Sequence, residues 1–193
     1  MRMRGSSLIF LSVLVFVFII QGFCQKAEAS MVEELSLSRL ANHSDLIAFG
    51  KIISTKPRWN EERTRIETQC ELQVEECLKG ACGESLVFVR RGGDVDGIRQ
   101  TVVGEASVEN GEEVVVFLEN VGGKLKFLGL SQGKFEVENV SGQRIVRHSS
   151  NNIEFNSQSA QRSAAMIYTL PLEIFLDLTK SLIMKSPLTV VSP

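Results

Sequence analysis

The chain is 193 residues long, 44% hydrophobic and 23% charged, with a formal net charge of −2. That length suits one domain with a short appendage, the ordinary polarity excludes wholesale disorder, and 15 Gly with 4 Pro exclude a collagen-like repeat. A pI near 5.8 argues against nucleic acid as the main partner, because phosphate binding needs a concentrated Lys/Arg surface.

Arg2 and Arg4 precede an apolar run from Leu8 to Ile20, interrupted only by Ser12. Ala27-Glu28-Ala29 then supplies a small-x-small site, so residues 1–29 read as a secretory signal peptide cut after Ala29. At 13 residues the run falls short of the about 20 needed to span a bilayer; an uncleaved anchor is the alternative. Gln21-Gly22-Phe23 lacks the small residue that lipoprotein processing wants beside Cys24. Cleavage leaves 164 residues with 18 basic and 22 acidic side chains, an exported domain of the periplasm or extracellular space. No stable membrane span is expected after the cut.

Leu37, Leu40 and Ala41 fall at helical spacing behind a Ser36 cap, predicting a short helix over Ser36 to His43. Leu46 to Thr55 reads as a strand, apolar on both faces at its start. Lys56 to Asn60 reads as a turn that holds Trp59, the only tryptophan. Beyond it Ile66, Thr68, Cys70, Leu72 and Val74 alternate with Arg65, Glu67, Gln69, Glu71, Gln73 and Glu75, one long strand with one wet face.

Ser85 to Arg90 makes a third strand, ended by Arg91-Gly92-Gly93-Asp94. An irregular excursion to Val108 follows, with a short strand near Arg99 to Val103. Asn110-Gly111 is a turn, Glu113 to Leu118 a strand, Gly122-Gly123 a reversal and Leu125 to Leu130 its partner. Lys134 to Val140 and Arg144 to His148 form another hairpin. A polar loop occupies 149–170, and a C-terminal amphipathic helix over 171–186 carries Leu172, Phe175, Leu176, Thr179, Leu182 and Ile183 on one stripe. Packing on the domain is the default for that stripe, partner binding the alternative. The expected architecture is mainly β: a small OB-like antiparallel β-barrel over residues 30–148 with a short N-terminal helix.

Thiols in an exported protein tend to pair, and the mature chain keeps three, Cys70, Cys77 and Cys82. Cys77 and Cys82 flank Leu78-Lys79-Gly80-Ala81 and so can close across a hairpin mouth, whereas Cys70 and Cys77 lie seven positions apart on one strand. Cys77–Cys82 is the expected disulfide, with Cys70 buried; three reduced thiols are the alternative.

Several segments in register carry a resemblance. They are Leu37-x-x-Leu40 followed by Ser44 to Ile52, Thr68 to Val74 leading into Cys77-Leu78-Lys79-Gly80, Gly92 to Gly97, Asn110 to Leu118, and Gln132 to Phe135. Over about residues 35 to 140 the chain resembles a widespread group of uncharacterised bacterial exported proteins, similar to the netrin-like, or tissue-inhibitor-of-metalloproteinase-like (TIMP-like), version of the OB fold. The resemblance implies an OB barrel, and protease inhibition as an alternative function. Inhibitors of that type ligate the protease zinc through a cysteine at the mature N-terminus, where this chain has Ser30.

No H-E-x-x-H, G-x-x-x-x-G-K-[ST] or G-x-G-x-x-G occurs. No catalytic residue, metal site or cofactor is therefore assigned. A small hydrolase would need His43 or His148 to converge with acidic residues in a cleft, and ranks third. Asp94 and Asp96 could begin a calcium loop, but Arg99 stands where its glycine belongs. Two features suit binding. Arg90-Arg91-Gly92-Gly93 puts two guanidinium groups beside free backbone N–H groups, fit to hold a carboxylate, sulfate or phosphate. The alternative is a plain turn whose arginines pair with Asp94 and Asp96. Trp59 is either a contact anchor or a plug for the barrel end. The expectation is a non-catalytic binding module that engages an unidentified protein or envelope component.

Overall fold

The computed structural model describes residues 34–148 and 170–185. The signal peptide over 1–29 and its cut lie outside the described residues, as does the polar loop over 149–170 except for its last residue. Helix α1 spans Leu37–His43, and Ser36 caps it as expected, its Oγ accepting the Arg39 amide at 3.2 Å. The strands are β1 (Leu46–Trp59), β2 (Ile66–Lys79), β3 (Ser85–Arg91), β4 (Gly93–Val95), β5 (Ile98–Gln100), β6 (Glu113–Val121), β7 (Lys124–Phe127), β8 (Lys134–Val140), β9 (Gln143–His148) and β10 (Leu170–Pro171). A 3-10 turn over Leu130–Gly133 separates β7 from β8, and α2 runs from Leu172 to Lys185.

One antiparallel sheet has the order β10-β9-β8-β6-β1-β2-β3, while β4 and β5 pair as a separate ribbon. Strand β6 lies along β1 on one edge. Its Glu113–Val116 half also pairs with β8, and its Leu118–Val121 half with β7. Three register shifts between β1 and β2 bend these long strands.

The continuous apolar runs in β1 and β6 have a physical reason: both strands are covered on both faces. Leu46, Ala48, Val114, Val116 and Leu118 face an inner layer with Cys70, Leu72, Phe88 and Phe127. Ile47, Phe49, Val115 and Phe117 face an outer layer with α1, α2, Phe135 and Val146. There the Phe135 and Phe175 rings lie 4.9 Å apart, and Phe117 and Phe135 5.4 Å apart. Leu172, Phe175, Leu176 and Thr179 of α2 are buried on this outer face. The stripe expected to pack does pack, against the sheet's outside.

The expected closed barrel is corrected. The sheet curls through β7-β6-β1-β2-β3 around the inner layer, but no ladder joins β3 to β7. They meet through side chains, Phe88 edge to face with Phe127 at 5.0 Å. The β8-β9-β10 extension meanwhile carries the other end of the sheet toward the helices.

Other boundaries also move. The expected turn over Lys56 to Asn60 is largely the continuation of β1, with Pro57 opposite Thr68 and Trp59 opposite Ile66. The short strand near Arg99 is Ile98–Gln100, and its partner begins at Gly93, where a turn was expected. Glu67, expected on a wet face, is buried between Arg65 at 3.1 Å and Lys124 at 3.4 Å. Cys77 and Cys82 form the expected disulfide, Cα atoms 5.9 Å apart, and Cys70 is free and buried.

Candidate functional site

Strand alternation puts Phe88 and Arg90 on the same face of β3, so Arg90, next to last on the strand, follows the inner apolar layer. Cys70 lies opposite Phe88 on β2: burial pushes that thiol up to about 11, while the Arg90 and Lys134 charges pull the other way. After Arg91 the chain turns sharply through Gly92, whose φ is +86°. The Gly92 amide donates to the Ile66 carbonyl at 2.8 Å, and Thr68 Oγ1 donates to the Gly92 carbonyl at 2.7 Å. A Cβ at this position would stand 2.6 Å from the Gln100 carbonyl oxygen, so only glycine lets the hairpin fold back this closely.

The β4–β5 ribbon sets Asp94 directly opposite Arg99, and the two pair at 3.4 Å. Gln100 Oε1 accepts the Ile66 amide at 2.6 Å and holds the ribbon's base to β2. The following segment returns over β3, where Glu105 takes Arg91 Nε at 2.9 Å. Lys134 pins that segment from below. Its fully buried ammonium donates to the Ser107 carbonyl at 2.5 Å, to Glu112 at 2.8 Å and to Glu136 at 3.0 Å.

Between β3, the ribbon and this segment lies a cleft of about 340 Å³, lined by Arg90, Arg91, Gly93, Asp94, Arg99, Gln100, Thr101, Val102, Glu105, Ala106 and Ser107. Two of its three arginines are paired with carboxylates; Arg90 has no carboxylate partner among the described residues. Its Nη1 donates to the Arg91 carbonyl at 3.3 Å, and its Nε is buried with no hydrogen-bond partner among the described residues. A guanidinium so placed can accept an incoming oxyanion without first giving up an ion pair.

Of the residues expected to bind, Arg90, Arg91 and Asp94 converge on the cleft. The arginine pairing differs from the plain-turn alternative: Arg91 pairs with Glu105, and Asp94 with Arg99. Trp59 does not line the cleft; it ends β1, half-buried. The disulfide sits before the start of β3, and the cleft at its far end. Arg99, Gln100 and Glu105 were missed. Asp96-Gly97 between Val95 and Ile98 is a hairpin signal that would have set Arg99 opposite Asp94, but nothing local marks Glu105.

Neither histidine lines the cleft. His43 Nδ1 hydrogen-bonds to the Arg39 carbonyl within α1, at the surface. His148 lies against the Phe135 ring with Nε2 on the Gln132 carbonyl at 3.0 Å, and burial keeps its pKa low. Among the described residues no three His, Cys, Asp or Glu side chains group to hold a metal, and no helix is long and apolar enough to cross a membrane. Comparison of the chain with protein families, with curated proteins and with solved structures found no match.

Proposed function

We propose that the chain is an exported, non-catalytic binding module of the cell envelope or extracellular space, which engages a partner by taking an acidic group into the Arg90 cleft. The observation that carries this reading is Arg90, on a cleft whose other two arginines are paired with carboxylates, with a buried Nε that has no hydrogen-bond partner among the described residues. Leaving such a donor unsatisfied costs about 1–3 kcal/mol, a cost relieved when the side chain re-aims its guanidinium onto a carboxylate, sulfate or phosphate oxygen in the cleft. The basic-then-apolar N-terminus and the Cys77–Cys82 disulfide support export. The curl of β7-β6-β1-β2-β3 about one inner layer supports an opened relative of the OB-like barrel.

The test is an affinity capture of the tagged protein from cross-linked native envelope, run beside the Arg90→Gln variant and identified by mass spectrometry. One partner recovered in near-equal amount by the wild type and lost by the variant is the expected result. A partner held equally by both proteins overturns the role of the cleft. Recovery of nothing above background overturns a protein partner.

A further inference from the structure

We infer that the group taken by the Arg90 cleft is a singly charged carboxylate at the end of an apolar chain, an inference that rests on the anion-binding reading above. Charge sets the first limit. Three arginines face two carboxylates across the lining, which leaves one positive charge to balance. A monoanion closes that balance, whereas a phosphate dianion overshoots it and crowds Asp94 and Glu105.

Size sets the second limit. At about 340 Å³ the cleft stands at the small end of ligand pockets, so it admits a small molecule or the tip of a larger one. The wall sets the third. Val102 and Ala106 line the cleft beside its polar groups. A ligand whose charge reaches Arg90 therefore leaves its chain against Val102 and Ala106, where burying methylenes adds affinity.

Two sources share this chemistry, a free aliphatic acid and the C-terminus of a polypeptide that ends in an apolar residue. Proton–nitrogen correlation NMR of the arginine Nε–H groups, on the purified full chain, reads the contact directly. The probes are acetate, hexanoate, hexanol, inorganic phosphate, and a short leucine-terminated peptide with its C-terminus free or amidated. The expected result is a shift of the Arg90 signal by hexanoate or the free peptide, with acetate about tenfold weaker. Hexanol and the amidated peptide leave it in place. Hexanoate alone assigns the site to a small acid, the free peptide alone to a polypeptide end, and either supports the inference.

Val102→Ser is expected to bring hexanoate down to the acetate level and leave acetate unchanged. Arg90→Gln is expected to abolish both, and Arg90→Met replaces it if the first variant does not fold. If phosphate binds tighter than hexanoate through Arg90, the ligand class falls while the anion-binding reading stands. If no probe moves the Arg90 signal, both fall.

Discussion

Phe88 of β3 and Phe127 of β7 meet edge to face, ring centroids 5.0 Å apart, across a seam that has no backbone ladder. Ring contact takes the place of hydrogen bonds there, so the seam's strength depends on the pair. Phe88→Leu and Phe127→Leu, combined in a double-mutant cycle, should show a coupling of about 0.5–1.5 kcal/mol in urea denaturation. Strict additivity would mean that the two rings merely fill space.

Glu67 links stability to pH. Burial works to raise its carboxyl pKa, but hydrogen bonds and charge from Lys124 and Arg65 outweigh burial and hold it below the ordinary glutamate value. A carboxyl depressed on folding stabilises fully above its unfolded pKa, and that contribution drains away as pH falls through the folded one. Both cations are more than a third exposed, so solvent screening keeps the effect modest. Glu67→Gln should cost about 1 kcal/mol near neutral pH and nothing once acid has protonated the wild type. A gap between the two proteins that does not change with pH would sink this account.

The cysteines predict a thiol count. The buried Cys70 thiol, pushed up to about 11, should react with Ellman's reagent at mildly alkaline pH only as fast as the domain opens. One thiol of the processed chain should appear at once in denaturant. Replacing Cys77 and Cys82 with serine should cost roughly 2 kcal/mol, the loop-closure value for a bridge between residues five apart. Fast native labelling of a single thiol would show that Cys70 is not sealed.

Arg90 separates binding from folding. Arg90→Met keeps the apolar stem and removes the unsatisfied buried Nε, so the free protein should be unchanged or up to about 1 kcal/mol more stable. A clear loss of stability in chemical denaturation would instead make Arg90 a structural residue.

Much of this fold is written locally. Ser36 announces α1, Gly80 between two cysteines announces a closable turn, and the Leu172-to-Ile183 spacing announces a packed helix. Closure of a barrel is not local, because alternation fixes which face a residue takes but not whether the first and last strands meet. Pro57 fits a turn, yet β6 accompanies β1 only over Leu46–Lys51, so near Pro57 one edge of the strand has no ladder partner among the described residues and a missing N–H costs little. Glu67 looked solvated because the Lys124 that faces it lies 57 positions away. The cleft was half legible for the same reason. Arg90, Arg91 and Asp94 are neighbours in sequence, but Glu105 and the Lys134 pin come from segments that only the fold brings together.

The turn at Gly92 separates outline from chemistry. Because a bare backbone crossing against the Gln100 carbonyl fixes how the ribbon folds back, the slot should keep its contour when its side chains are exchanged. Replacing the guanidinium groups would then retune what the slot accepts, while a methyl group at Gly92 would erase the slot itself.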